Sequence, residues 1–216
     1  MDFIKQLKRD RLLQRRIFFI LLAHVILGLA VNLLRIALFG NDPFSCMQLG
    51  FSKFFNVSYG TCVIIFNLIA IIPIFLIDRS YIQIGTLINM FMFGPIVDAL
   101  YVVMSMIYPD LGYISFAARV ACLILGVLVC CYGASMYMVT NLGMGPYDAI
   151  GWIIEKLTNK KVPFKFARMG LDGTATVVGF LFGSIVGVGT LVMALGTGPL
   201  IVFFTDNINR RLVYGG

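Results

Sequence analysis

Two short segments of the chain place an aspartate next to a proline, a glycine and an aromatic residue. The first is GNDPFS at residues 40–45, with Asp42, and the second is GMGPYD at residues 143–148, with Tyr147 and Asp148. Because proline suits the first position of a helix, we expect a helix to start at each motif. If these helices start inside a membrane, their free N–H groups and carboxylates could hold a proton, a cation or an ammonium group. The simpler alternative is an N-cap at Asp42 and a first-turn acid at Asp148, each at a helix end exposed to water.

Asp98 is a third candidate, because it follows a Gly-Pro pair inside an apolar segment. An unpaired carboxylate at such a depth costs about 2.5 to 3.5 kcal/mol, so it should be paired, protonated or directed into a wet cavity. Arg35 and Arg119 also lie within apolar segments and are potential partners. The structural alternative is one buried ion pair and one arginine that extends to the membrane interface.

Further polar residues recur at helical spacing. His24, Asn32 and Arg35 fall on one face of the first apolar segment, and a comparable stripe of small and polar residues in the second half ends at Asn141. A polar stripe on an apolar helix has to face protein or water. His24 is the only histidine, and a hydrogen-bonded structural role is favoured over a proton relay.

Asp172 follows Arg168 by four residues, which fits a surface ion pair along a helix. It also lies at the depth of Asn67 in the first half, which fits the lining of a cavity. The candidate solute-binding residues are therefore Asn32, Arg35, Asp42, Asn67, Asp98, Asn141, Tyr147, Asp148 and Asp172.

The composition is that of an integral membrane protein. Hydrophobic residues make up 60% of the 216 residues and charged residues only 12%, whereas about a quarter of a soluble domain is charged. Segments 43–55 and 146–158 are too short and too polar to cross alone and are predicted as broken or re-entrant helices. The predicted fold is one all-α membrane domain, 1–216, with six transmembrane helices at 17–39, 59–77, 82–107, 115–139, 168–186 and 188–208.

The basic residues predict the orientation. In the six-span arrangement, 14 of the 17 Lys and Arg residues fall on one side and Lys53 alone falls on the other. Positive charge concentrates on cytoplasmic loops, so both termini should be cytoplasmic. The net charge of +7 is then a topology and lipid signal, and it gives no reason to expect nucleic acid as a partner.

The chain contains an internal repeat. GTLINMFMFGP at 85–95 matches GTLVMALGTGP at 189–199 at an offset of 104, and the two aspartate motifs match at an offset of 103. Repeat one, 17–107, and repeat two, 115–208, would each have three crossings, and an odd number forces the second copy to be inverted. If the broken helices were full spans, each half would have four crossings and the repeats would be parallel. The basic residues would then no longer lie on one side of the membrane.

These features together resemble a known family. The paired halves, the Asp-Pro-Phe at 42–44, the NLGMGPYD segment at 141–148 and the Gly-Thr-Leu with Gly-Pro of the last span are similar to the bacterial YczE/YitT family of multi-pass membrane proteins. The resemblance covers nearly the whole chain, and GPYD is its most specific part. It implies a membrane fold in the bacterial plasma membrane and a suspected role in transport. It supplies no catalytic residues.

The residues favour secondary transport of a small polar solute by alternating access between the two halves. The four carboxylates favour a cationic or zwitterionic solute or proton coupling, while the arginines and the helix N-termini would suit an anion. No hydrolase, P-loop or metalloprotease motif occurs, so we expect no enzyme activity, and no cofactor or metal.

The alternative function is a non-transporting membrane partner that modulates another membrane or secretion system. Gly179, Gly183 and Gly187 form a small-xxx-small series that permits close helix contact, which leaves a homodimer in the bilayer open.

Overall fold

The structure is a computed structural model that describes residues 11–107 and 114–214. In this part of the chain every α-helix belongs to one of two similar series, apart from a short helix at the carboxyl end. The first series is α1 (Arg11–Ala37), α2 (Pro43–Phe55), α3 (Tyr59–Ile77) and α4 (Ile84–Ile107). The second is α5 (Phe116–Val139), α6 (Pro146–Leu157), α7 (Phe164–Leu181) and α8 (Val188–Phe204), followed by a π-helical turn, Thr205–Asn209, and α9 (Arg210–Tyr214).

Five helical stretches are long and apolar enough to cross a membrane, so this is a multi-pass membrane protein. They are α1, α3, α4, α5 and the continuous stretch Val188–Tyr214. The sixth predicted span, 168–186, overlaps α7, which is helical but ends at Leu181. This helix carries Lys165, Arg168 and Asp172, and these charges separate it from the other five.

Both short helices start at the predicted prolines. Asp42 is the N-cap of α2 and accepts a hydrogen bond from the Ser45 N–H at 3.0 Å. Gly145 is the N-cap of α6, and Asp148 lies in the first turn. The helix starts follow from local chemistry, because proline fixes the backbone dihedral that the first helical position needs and lacks only an N–H that would be unpaired there.

The first helices of the two series lie side by side and run antiparallel. Near the start of α1, Ile20 packs with Met136 and Tyr137 near the end of α5. Near the end of α1, Leu34 packs with Val127 in the first half of α5. We call the end of the bundle where α1 begins the basal end and the opposite end the apical end.

Each short helix packs against the third helix of the other series. Gly50 of α2 approaches Gly179 of α7 so closely that a Cβ on Gly50 would lie 2.6 Å from the Gly179 carbonyl oxygen. On the other side, Ile74 of α3 forms a core with Ala149 and Ile153 of α6. The two series are therefore interlocked through their short helices.

Two matching backbone hydrogen bonds join the series. The Gly85 N–H at the start of α4 donates to the Leu142 carbonyl at 2.7 Å, and the Gly189 N–H at the start of α8 donates to the Phe39 carbonyl at 2.8 Å. The loops that supply these carbonyls turn at Gly40 and Gly143, whose φ angles of 101° and 108° favour glycine.

The two series differ in how their last two helices meet. In the first, a Cβ on Gly94 of α4 would lie 2.6 Å from the Gly60 Cα of α3, and the Gly60 N–H donates to Asp98 at 2.8 Å. In the second, α7 and α8 pack together much less closely. No described atom lies within 4 Å of a Cβ built on Gly198, the residue that corresponds to Gly94.

Candidate solute-binding site

Arg168 forms the centre of a cluster of charged side chains. Its guanidinium forms ion pairs with Asp148 of α6, through Nη1, and with Asp172 of its own helix, through Nε at 3.1 Å. The Tyr147 hydroxyl donates to the other Asp172 oxygen at 2.7 Å, and the Arg168 guanidinium lies 4.7 Å from the centre of the Tyr147 ring. We call Tyr147, Asp148, Arg168 and Asp172 the Arg168 cluster.

The first series supplies the apolar side of this cluster. The Tyr147 ring lies 4.9 Å from that of Phe44 on α2 and 6.1 Å from that of Phe66 on α3. Met47 of α2 packs in the same core as Tyr147 and Ala175. The Arg168 cluster therefore lies where the two halves meet.

Asp42 belongs to the same region. It lies two residues before Phe44, whose ring packs on Tyr147 of the cluster. Asp148 pairs with Arg168 directly, whereas the motif of Asp42 reaches the cluster through the Phe44 ring. Two carboxyl groups surround one guanidinium in the Arg168 cluster, and this excess of acidic groups favours a cation or the ammonium group of a zwitterion.

The charged side chains of the cluster are partly exposed. Those of Arg168, Asp148 and Asp172 are 31%, 36% and 28% exposed. An arginine held between two carboxylates can exchange one of them for the carboxylate of a ligand without a change in the number of ion pairs. The released aspartate is then free to take a proton or an ammonium group.

The sequence motifs indicated the carboxylates, whereas Arg168 was assigned to the basic residues that set the topology. The spacing of Arg168 and Asp172 predicted their ion pair correctly. The bond to Asp148 joins residues 20 positions apart, so no helical periodicity could reveal it. The nearest signal in the sequence is that α7 carries Arg168 and Asp172, together with Lys165, in a helix whose second half is largely apolar.

Asn32 and Asp98, two of the predicted site residues, form hydrogen bonds between α4 and its neighbouring helices. The Asn32 amide of α1 donates to the Val97 carbonyl at 2.9 Å and to the Gly28 carbonyl at 3.1 Å. Asp98 accepts from the Gly60 backbone at the start of α3. A carboxylate beside the first turn of a helix is stabilised by the free N–H groups there, which gives Asp98 a partner without an arginine.

Arg35 and Asn141 lie at opposite ends of the bundle. Arg35 stacks over the Tyr101 ring at 3.8 Å. At the basal end, Asn141 has a φ of 48°, and its carbonyl accepts a hydrogen bond of 2.5 Å from Arg16. These two residues therefore belong to different surfaces.

Buried polar groups without partners lie on the two helices that follow α1. Asn67 of α3 is 1% exposed, and its amide nitrogen has no hydrogen-bond partner among the described residues. Gln48 of α2 is fully buried, and neither its amide nitrogen nor its amide oxygen has a partner within the same part of the chain. Buried polar atoms are normally paired, so these amides are suited to bind water or a polar ligand. No sequence pattern indicated Gln48, which is distinguished only by its position within the short helix.

His24 has a structural environment. It is fully buried, its Nδ1 lies 2.6 Å from the Ile20 carbonyl of the same helix, and its Nε2 lies 3.3 Å from the Asn89 amide of α4. Both ring nitrogens thus have a neighbour within hydrogen-bond distance, which agrees with the structural role that the sequence favoured.

Comparisons with known proteins agree with a membrane family. The model of a family described as "Family of unknown function (DUF6198)" matches residues 14–206. The chain is 25% identical over 208 residues to the uncharacterized membrane protein YczE of Bacillus subtilis, covering 96% of this chain and 93% of YczE. It is 26% identical over 198 residues to an uncharacterized protein of Haemophilus influenzae, covering 91% and 86%, and 25% identical over 190 residues to the uncharacterized protein YyaS of Bacillus subtilis, covering 88% and 92%. No solved structure matches the chain.

Proposed function

Since this chain belongs to the DUF6198 family of unknown function, its activity has to be inferred from its own site, and we propose that it is a secondary transporter of a small polar solute. The observation that carries the proposal is the Arg168 cluster. Its charges come from α6 and α7, while the Phe44 and Phe66 rings that pack beside Tyr147 come from α2 and α3. A solute held there contacts both halves, as alternating access requires.

The cluster suits a zwitterion or a cation. Arg168 can pair with the carboxylate of the solute, and an aspartate released from Arg168 can hold its ammonium group. The Tyr147 and Phe44 rings add apolar surface and, for a cation, attraction to the ring face. An aspartate that loses its arginine partner also binds a proton more readily, which couples solute binding to protonation.

We also propose that the two halves are inverted repeats. Support comes from the antiparallel packing of α1 and α5, from the matching bonds of Gly85 and Gly189, and from the exchange of short helices between the halves. In inverted repeats, the two halves adopt different conformations, and exchanging them opens the other side. The closed contact of α3 with α4 and the open one of α7 with α8 fit such a pair of conformations.

In this proposal the basal end faces the cytoplasm. The basic side chains of Arg15 and Arg16 lie there, where they donate to the carbonyls of Leu212, Thr140 and Asn141. Positive side chains at the cytoplasmic interface are attracted by anionic lipids as well as favoured by the insertion machinery.

The first experiment is a thermal-stability screen of the purified protein against amino acids, amines and organic acids. A solute that stabilises the protein is then tested for uptake by liposomes that contain it. We expect saturable uptake, with protein-free liposomes as the blank.

The matched control is Asp78→Asn. This variant removes a carboxylate from another ion pair, with Lys156 at 2.6 Å, which lies away from the cluster. The neighbouring ammonium lowers the pKa of Asp78, so the pair is formed at neutral pH. Uptake should survive in this variant. A protein that binds a solute but does not move it in either direction would contradict the transport proposal.

A further inference from the structure

A cavity opens near the apical end of the bundle, away from the Arg168 cluster. It has a volume of about 440 Å³, within the range of small-molecule sites. Its walls come from α1 and α2 of the first series and from the connection between α7 and α8 of the second. The polar residues that line it are Arg35, Asn41, Ser52, Lys53, Asn56 and Ser184. We call it the apical cavity.

The apical cavity has a positive lining. Arg35 and Lys53 border it, and no carboxylate does so among the residues that the structure describes. The Arg35 guanidinium contacts the Tyr101 ring and donates no hydrogen bond to any residue in the ranges 11–107 and 114–214. Lys53 donates to the Gly183 carbonyl at 3.1 Å, and an ammonium group has further donors. Both cations can therefore donate to an anion in the cavity.

Asn41 adds a hydrogen-bond acceptor. It lines the same cavity, is only 4% exposed, and its amide oxygen has no partner among the described residues. A buried acceptor without a donor is costly unless a ligand or water supplies one. A ligand that satisfies it carries a hydroxyl or an ammonium group.

We propose that the apical cavity binds a small organic carboxylate that carries a hydroxyl or ammonium group close to the acid. The carboxylate pairs with Arg35 and Lys53, and the donor group bonds to Asn41. The site is separate from the Arg168 cluster, and its occupancy does not depend on transport. It also accounts for Lys53, the one basic residue that the charge distribution assigned to the outer side.

Three acids of equal carbon number test this assignment. Binding of lactate, alanine and propionate is measured by thermal shift and calorimetry on the full chain, in a neutral detergent at constant ionic strength. Lactate and alanine should bind at least about tenfold more tightly than propionate, because propionate leaves the Asn41 oxygen without a donor. Asn41→Ala should reduce that difference.

Charge variants locate the ligand. Arg35→Gln and Lys53→Gln should each weaken lactate binding by roughly tenfold or more, since each removes a charge-assisted hydrogen bond. Lys161→Gln changes a lysine on an exposed loop outside the cavity and should leave lactate binding unchanged. Lys53 is exposed, so its variant serves if Arg35→Gln does not fold.

Three outcomes would overturn the inference. The first is no saturable binding of any of the three acids. The second is binding that falls as much in Asp148→Asn as in Lys53→Gln, which would place the ligand in the Arg168 cluster. The third is affinity for inorganic phosphate or for nanodiscs with anionic lipid but none for lactate, which would assign the cavity to a phosphate or a lipid headgroup. None of these readouts measures flux, so the inference and the transport proposal can fail independently.

Discussion

Arg168 forms ion pairs with carboxylates on two helices, Asp148 on α6 and Asp172 on α7. Losing one of these carboxylates leaves the other ion pair in place. In the proposed transporter, the carboxylate of a solute takes the vacated position. The predicted aspartates Asp42 and Asp148 were found from a motif, because proline and a capping acid obey local rules. Arg168 was not, because its ion pair with Asp148 depends on a contact between two helices.

At the same scale, the two repeated threonines should differ in their contribution to stability. The Thr86 hydroxyl is within hydrogen-bond distance of the carbonyls of Met144, at 2.9 Å, and Tyr81, at 3.1 Å, whereas the Thr190 hydroxyl is buried without a partner among the described residues. Thr86→Val should lower the free energy of unfolding by about 1 kcal/mol, since it leaves carbonyls unpaired. Thr190→Val should leave it unchanged or raise it slightly.

The measurement is equilibrium unfolding of both variants in mixed detergent micelles. The two substitutions are identical in shape and lie at corresponding positions, so each controls for the other. An equal loss of unfolding free energy in both variants would contradict the predicted difference between Thr86 and Thr190.

At the scale of elements, the short helices α2 and α6 explain how a compact chain brings its halves together. Their starts could be predicted from the prolines, but their partners could not, since packing on the other half is set by shape at contacts such as Gly50 with Gly179. The span predicted at 168–186 was likewise only partly predictable from the sequence. Its apolar residues predicted a helix correctly, whereas the charges of α7 are explained only by the ion pairs that they make with α6 and with each other.

Helices α3 and α4 contact each other closely, whereas α7 and α8 do not. The same substitution at the two corresponding glycines should therefore have different effects. Gly94→Ala should destabilise the protein by about 1 to 3 kcal/mol, because the added methyl meets the backbone of Gly60. Gly198→Ala, at the corresponding position, meets open space and should leave stability unchanged. It should nevertheless slow solute flux, because α7 and α8 have to approach each other in the alternate state.

Unfolding in detergent and flux in liposomes are measured on both variants. Full flux in Gly198→Ala would argue against closure of α7 on α8. A stable Gly94→Ala would mean that the contact between α3 and α4 relaxes at little cost.

At the scale of the whole molecule, composition and the repeat predicted an all-helical membrane protein, and both the five apolar helices and the family comparison confirm this much. The orientation in the membrane stays a prediction, because it rests on the distribution of basic residues rather than on internal contacts.

Cysteine labelling tests the orientation. A membrane-impermeant thiol reagent should label Val57→Cys in intact cells, since residue 57 is in the exposed loop between α2 and α3. Lys161→Cys should be labelled only after the membrane is opened. The unaltered chain, with its five cysteines, gives the background, and the reverse pattern would refute cytoplasmic termini. Residue 110, expected on the same side as residue 57, lies outside the described residues.

The most direct test of the proposed transport site is solute flux through Asp148→Asn in liposomes, with the melting temperature measured on the same preparation. The substitution keeps the size of the side chain and removes the charge that pairs with Arg168 across α6 and α7. If the cluster is the transport site, flux should be lost or uncoupled from the proton gradient while the melting temperature changes little, and Asp78→Asn should transport normally. If Asp148 is only a first-turn acid that stabilises α6, the variant should transport normally at a lower melting temperature, and that result would contradict a transport role for the Arg168 cluster.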